Sequence, residues 1–268
     1  MKYGKRDFRL TRMYSAWKKK DPPPNRVKPV PVQVLRRIMV VAQHSDPITR
    51  ATADMICLAF FFLLRPGEYT DSPSDSTPFR IADTQLFLGP RRLDLQTATE
   101  AQLLSATFAT LTFTDQKNGV RGEVVGLGTS GNPLLCPVRA IARRILHLRS
   151  AQAPGTAALA AVYHNNRWTS VQPSAITSAL RAAVQFLGPS LGFLPQDVSA
   201  RCLRAAGVNA LLCAQVDTDV IRLLGRWRSD EMLRYLHLQA QPVMKDFARK
   251  MLAGGAFTLI PNQLVPSY

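Results

Sequence analysis

Hydrophobic positions recur at helical spacing over most of this chain and alternate only briefly. After Pro31, the residues Val34, Leu35, Ile38 and Val41 fall on one side of a 3.6-residue repeat, which predicts a helix. A second helix opens at Asp46-Pro47, a capping side chain followed by a residue whose φ suits the first turn. It runs through the apolar block at 55–64 and is expected to stop at Pro66-Gly67. Residues 70–105 are mixed, with strand-like pieces near 86–88. Ala109, Leu111 and Phe113 then alternate with Thr110, Thr112 and Thr114, which is strand periodicity. Asn118-Gly119 reads as a hairpin turn, with 121–127 as the returning strand. The remainder reads as helical. Pro137 opens a helix to about 148, Pro173 one to about 187, and Asp197 or Ser199 one to about 214. Asp217 starts a short helix that ends at Gly225. Ser229, followed by Asp230 and Glu231, caps a helix carrying Tyr235, and a last helix over 243–252 precedes a Gly254-Gly255 break. The expected fold is mainly α with one small antiparallel β-sheet, an α+β class, and fold class alone names no function.

Charge changes that picture. Lys and Arg number 34 against 18 Asp and Glu, a net charge of +16. Such an excess calls for a polyanion, nucleic acid before anionic membrane, the inert alternative being a basic but unengaged surface. Membrane insertion is disfavoured, because the longest apolar run, 55–64, is far short of the roughly 20 residues of a span. The N-terminus has no apolar stretch of the secretory kind. Four cysteines without a C-x-x-C pair and four scattered histidines suggest neither a metal site nor a disulfide framework. Cys57 and Cys202 lie in helical patterns and read as small core residues. Residues 1–32 form a basic arm with Pro22, Pro23, Pro24, Pro29 and Pro31, either a tether along DNA phosphates or a solvated terminus. Residues 33–252 form the main domain and 253–268 a tail.

Four short segments carry candidate chemistry. In FFLLRPGEY, Arg65 ends a buried helix and Glu68 follows it. Lys117 stands at the tip of the expected hairpin. VSARCLRAAG places Arg201 and Arg204 three apart on one helix face. LLGRWRSDEMLRYLH sets Trp227 eight residues before Tyr235. Each has a plain alternative: Arg65 as a cap on helix carbonyls, Lys117 as a solvated turn residue, Arg201 and Arg204 as a DNA-facing stripe, Trp227 and Tyr235 as core aromatics. Their types suit phosphodiester chemistry. Guanidinium groups bind non-bridging oxygens bidentately, and fixed cations lower a barrier where charge develops. A tyrosine with its ordinary pKa of about 10 is a poor nucleophile unless such cations favour the phenolate.

With these segments in this order, the chain resembles the tyrosine recombinase (phage-integrase-type) family over roughly residues 33–250. The stretches CPVRAI, GFLPQDVSA, CLRAAG and GRWRSDEMLRYLH resemble the branch carried by eukaryotic mobile elements of the Crypton and DIRS-like kind. The resemblance implies that family's catalytic-domain fold and DNA cleavage and rejoining through a 3′-phosphotyrosyl intermediate, serving site-specific recombination or integration. It implies Tyr235 as nucleophile, Arg65, Arg204, Lys117 and Trp227 around the scissile phosphate, and Glu68 as orienter. It further implies a homo-tetramer on double-stranded DNA, no cofactor, a nuclear location if the host is eukaryotic and cytoplasmic otherwise, and an arm that trails a missing N-terminal core-binding domain. One position departs from the pattern: the family's second motif is usually His-x-x-Arg, and here Arg201 stands at the histidine position. Arginine stays protonated at neutral pH, so it can clamp a phosphate but not act as a base.

Three other readings remain: a non-catalytic DNA-binding relic, a type IB topoisomerase-like enzyme, and a basic RNA-associated protein. The last calls for exposed aromatics on strands, and the expected hairpin offers only Phe113. The charge gives the first expected outcome. If about 6–10 phosphates are contacted, duplex affinity falls by roughly 10³ to 10⁵ between 50 and 200 mM salt. Fluorescence anisotropy with a labelled duplex measures this, and a flat response would remove the phosphate-tracking surface.

Overall fold

The structure, a computed structural model, describes residues 28–72, 77–114, 122–226 and 246–257. Helix α1 (Val32–Ala42) buries Val34, Leu35 and Ile38 as their spacing predicts. Val41 lies off that face and stays exposed, while Met39 and Ala42 take the inner positions. Helix α2 (Pro47–Phe61) starts at the expected cap: Asp46 Oδ1 accepts from the N–H of Ile48 (2.8 Å) and of Thr49 (3.1 Å). Every residue from 51 to 64 is buried, so α2 is the central helix, apolar all round. Its one buried carboxylate, Asp54, is met by the Arg143 guanidinium. Desolvation raises the Asp54 pKa and the Arg143 charge opposes that rise.

Helix α2 ends earlier than expected. Leu63 adopts a left-handed φ of 52°, and Pro66 begins a one-turn helix, α3 (Pro66–Tyr69), rather than merely breaking the chain. A 3-10 turn (Ile81–Asp83) then leads into β1 (Thr84–Leu88), followed by β2 (Arg91–Arg92), α4 (Glu100–Leu104), β3 (Phe108–Phe113) and β4 (Glu123–Gly128). These strands form one antiparallel sheet in the order β2-β1-β3-β4, with Phe113 opposite Glu123 and Phe108 opposite Gly128. Ala109, Leu111 and Phe113 are buried, as their alternation predicts. Helix α5 (Pro137–Ser150) packs between the sheet and α2. Helices α6 (Pro173–Leu187) and α7 (Cys202–Cys213) flank α2 with α1. Helix α8 (Thr218–Leu224) follows α7, and α9 (Phe247–Gly254) covers α7 and β4. Cys57 and Cys202 are buried. Among the described residues no helix is long and apolar enough to cross a membrane.

Three expectations need correction. The segment between α5 and α6 is not all helical. It contains a second hairpin, β5 (Ala161–His164) and β6 (Arg167–Ser170), turned by Asn165 and Asn166, both with φ near 50–60°. The helix expected from Asp197 or Ser199 begins only at Cys202. A 3-10 turn (Pro195–Asp197) precedes it and Arg201 is its N-cap residue, so of the two arginines only Arg204 lies within the helix. Gly254 lies inside α9 rather than after it. A Cβ there would meet Ala210 O at 2.4 Å, so the close approach of α9 to α7 requires glycine. The same crossing brings the two ends of the fold together, Val32 N–H donating to Gly255 O (2.6 Å).

The β5–β6 hairpin is tied to α5 by His147, whose Nε2 accepts from Tyr163 N–H (3.1 Å). Burial first, then the charge of Arg144, pushes the His147 pKa from 6.5 down to about 4. The unfolded chain therefore takes up this proton before the folded one does. The contribution is complete above pH 6.5 and is lost as pH falls toward 4. Urea titrations across pH 7 to 4 should show stability falling less steeply in His147→Gln than in the unaltered chain. Carboxylates titrate alike in both proteins, so parallel curves would show that His147 is not buried neutral.

Candidate functional site: a buried carboxylate among three arginines

The tight turn after α2 brings Arg65 and Glu68 onto one another. Glu68 N–H donates to Arg65 O (2.8 Å), closing the turn, and the carboxylate reaches back. Its Oε2 accepts Arg65 N–H (2.7 Å) and its Oε1 accepts Arg65 Nη1 (3.1 Å). Glu68 is 2% exposed while the Arg65 side chain is 27% exposed, so the pair spans from core to surface. Arg65 does not cap the carbonyls at the end of α2.

Arg226 does that work, and nothing in the sequence reading singled it out. Its Nη1 donates to Phe62 O (3.1 Å) and Leu224 O (3.2 Å). Its Nη2 donates to Leu63 O (3.1 Å) and to Glu68 Oε2 (3.2 Å). The guanidinium carbon lies 3.8 Å from the centroid of the Phe113 ring, and the side chain is 1% exposed. Its only sequence signal is a place between Gly225 and Trp227. Partners so distant in the chain leave no periodicity to read.

Arg204 projects from α7 and donates through Nη2 to Gly225 O. Burial lowers its pKa to about 9, the charges of Arg226 and Arg65 add to the fall, and Glu68 opposes it. Arg226 falls to about 10 from burial, with Glu68 and Glu123 opposing and Arg65 adding to the fall. Both remain cations at neutral pH. Arg65, Arg204 and Arg226 thus form one electrostatic cluster about Glu68, at the end of the sheet where β3 leaves and β4 returns. Residues 115–121, which connect those strands and carry Lys117, lie outside the described residues, as do 227–245 with Trp227 and Tyr235.

Arg201 is exposed, at the entrance to α7. The carbonyl just before it, on Ala200, accepts from the Tyr69 hydroxyl (2.9 Å), and Ala200 N–H donates to Thr177 Oγ1 (3.1 Å). Burial drives the Tyr69 phenol well above its ordinary pKa. Tyr69 is therefore a donor that holds the Arg201 loop to the Arg65 turn and is unsuited to attack a phosphate. No family model, curated protein or solved structure matches this chain.

Removing the carboxylate charge takes from buried Arg226 the anion to which it is hydrogen-bonded. Glu68→Gln should cost about 3–5 kcal/mol of folding stability, read from urea unfolding. A loss under about 1 kcal/mol, the value of a surface pair, would mean that the cluster is solvated.

Proposed function

We propose that this chain breaks and rejoins DNA by tyrosine-recombinase chemistry, on a catalytic domain of that family's fold, in the recombination or integration of a mobile element. The observation that carries the proposal is the convergence of Arg65 and Arg204, distant in sequence, beside one buried carboxylate. A fold has little reason to gather like charges unless an anion is to meet them, and the net charge of +16 suits a polyphosphate.

In this reading Tyr235 gives up its phenol proton to solvent, the nearby cations favouring the phenolate; its oxygen attacks phosphorus, a 3′-phosphotyrosyl bond forms and the bond to the 5′ oxygen breaks. Lys117 supplies the proton that the departing oxygen takes up. Arg65 and Arg204 bind the non-bridging oxygens, where charge grows, and Trp227 donates beside them. Reversal by a 5′-hydroxyl restores the strand, and bond energy stays in the linkage, so no cofactor is needed. Arg201 cannot accept the phenol proton, and its exposed position suits a third phosphate clamp. The working form is a homo-tetramer on double-stranded DNA, nuclear in a eukaryotic host and cytoplasmic otherwise. The same Arg201 favours a second reading, a DNA-binding relic without cleavage.

Nicked duplexes on a denaturing gel decide between them. A band that protease removes is expected from the unaltered chain and absent from Tyr235→Phe, with duplex affinity nearly unchanged. Arg201→Ala should slow the cleavage. Arg201→His should cleave roughly 10² to 10⁴-fold faster only if the missing base limits the reaction. Duplex binding with no covalent band from the unaltered chain or from either Arg201 variant would leave the relic.

A further inference from the structure

We propose that Arg226 is a positioning residue for Arg65, acting on a bound phosphate through Glu68 without touching it. This rests on the DNA-binding half of the function proposed above. Arg226 is too deeply buried to meet a phosphate, and among the described residues its guanidinium donates to three carbonyls and one carboxylate oxygen and lies on one aromatic face. It also sits at a left-handed φ of 58°, unfavourable for a residue with a side chain and held here by those bonds.

The consequence lies in how Glu68 is divided. Oε2 serves Arg226 Nη2 and the Arg65 backbone N–H, which leaves Oε1 as the one contact for the Arg65 guanidinium. The remaining guanidinium nitrogens of Arg65 have no hydrogen-bond partner among the described residues, and the side chain reaches solvent. A carboxylate and a guanidinium left to themselves prefer two parallel bonds. Without Arg226, Oε2 keeps only the Arg65 backbone N–H, and the Arg65 guanidinium turns inward to bond both oxygens, away from any phosphate. A lysine at 226 could not substitute fully, since one nitrogen cannot reach the end of α2, the end of α8 and the carboxylate together.

The test uses the full chain and a labelled 20-base-pair duplex, reading the slope of log affinity against log salt. Each phosphate contact contributes about 0.9 to that slope. Arg65→Ala should lower it by one contact. Arg226→Met should lower it equally, although Arg226 meets no phosphate, and Arg65→Ala with Arg226→Met should lower it no further. Adding Glu68→Gln to Arg226→Met should restore the slope, because a neutral amide no longer draws Arg65 inward; a loss of packing alone would not be restored. Circular dichroism at the assay temperature checks folding, and Arg226→Lys, expected to fall between, replaces the methionine variant if that one unfolds. An unchanged slope in the Arg226 variant, or additive losses in the pair, overturns the inference and leaves DNA binding standing. Absence of salt-dependent duplex binding by the unaltered chain overturns both.

Discussion

A carboxylate buried among carbonyls and aromatic rings needs cations beside it, and Glu68 draws two. Arg65 reaches it from the adjacent turn, and Arg226 from the far side of the end of α2. The attraction is local, but its consequences run through the fold. Arg226 closes the carbonyls that α2 leaves open, fixes the end of α8, and lays its charge on the ring of Phe113 at the end of β3. One ion pair therefore joins the central helix, the sheet and the last turn before residue 227. A buried pair of this kind adds little net stability compared with well-packed apolar residues. What it gives here is a fixed geometry in which a half-exposed arginine meets the outside at a defined angle.

That division of labour separates the arginines of this chain. Arg144 is buried and donates to Leu159 O and Ala161 O, and Arg143 is taken by Asp54. Both serve the fold. Arg65 and Arg201 keep contact with solvent, and Arg204 stands between the two groups, half-buried and held to Gly225 O. A net charge cannot make that distinction, because each guanidinium counts alike until its partners are known.

The helices were legible because burial follows from spacing: the apolar block at 55–64, the Asp46-Pro47 cap and the alternation at 109–113 each report a local constraint. The β5–β6 hairpin escaped because its strands have four residues and mostly exposed outer faces, Trp168 being 49% exposed, so period two hardly shows. Only the Asn165-Asn166 turn marked it. Arg65, Glu68 and Arg204 were found by their order and type, and the structure gathers them. Arg226 was missed because its role is set by carbonyls at positions 62 and 63, a relation between distant segments that no window of sequence contains. The overlong reading of the helix before Arg204 has a similar cause. Tyr69 and Thr177 hold the chain at Ala200 and delay the helix to Cys202, and both lie outside the local stretch.

The main-chain bond between Val32 and Gly255 has a temporal meaning. It closes nearly the whole described fold into one loop, and such long loops are entropically the most expensive to close. Until α9 is available, α7 has an uncovered side and the first helix has no partner for its opening N–H. Synthesis proceeds from the other end, so most of this domain must wait on the ribosome with its core unfinished. A polypeptide assembled in this way acquires its last packing layer only after the segment bearing Tyr235 has been made. Completion of the fold therefore belongs to the last moments of synthesis, and a half-made chain carries an α7 without its cover.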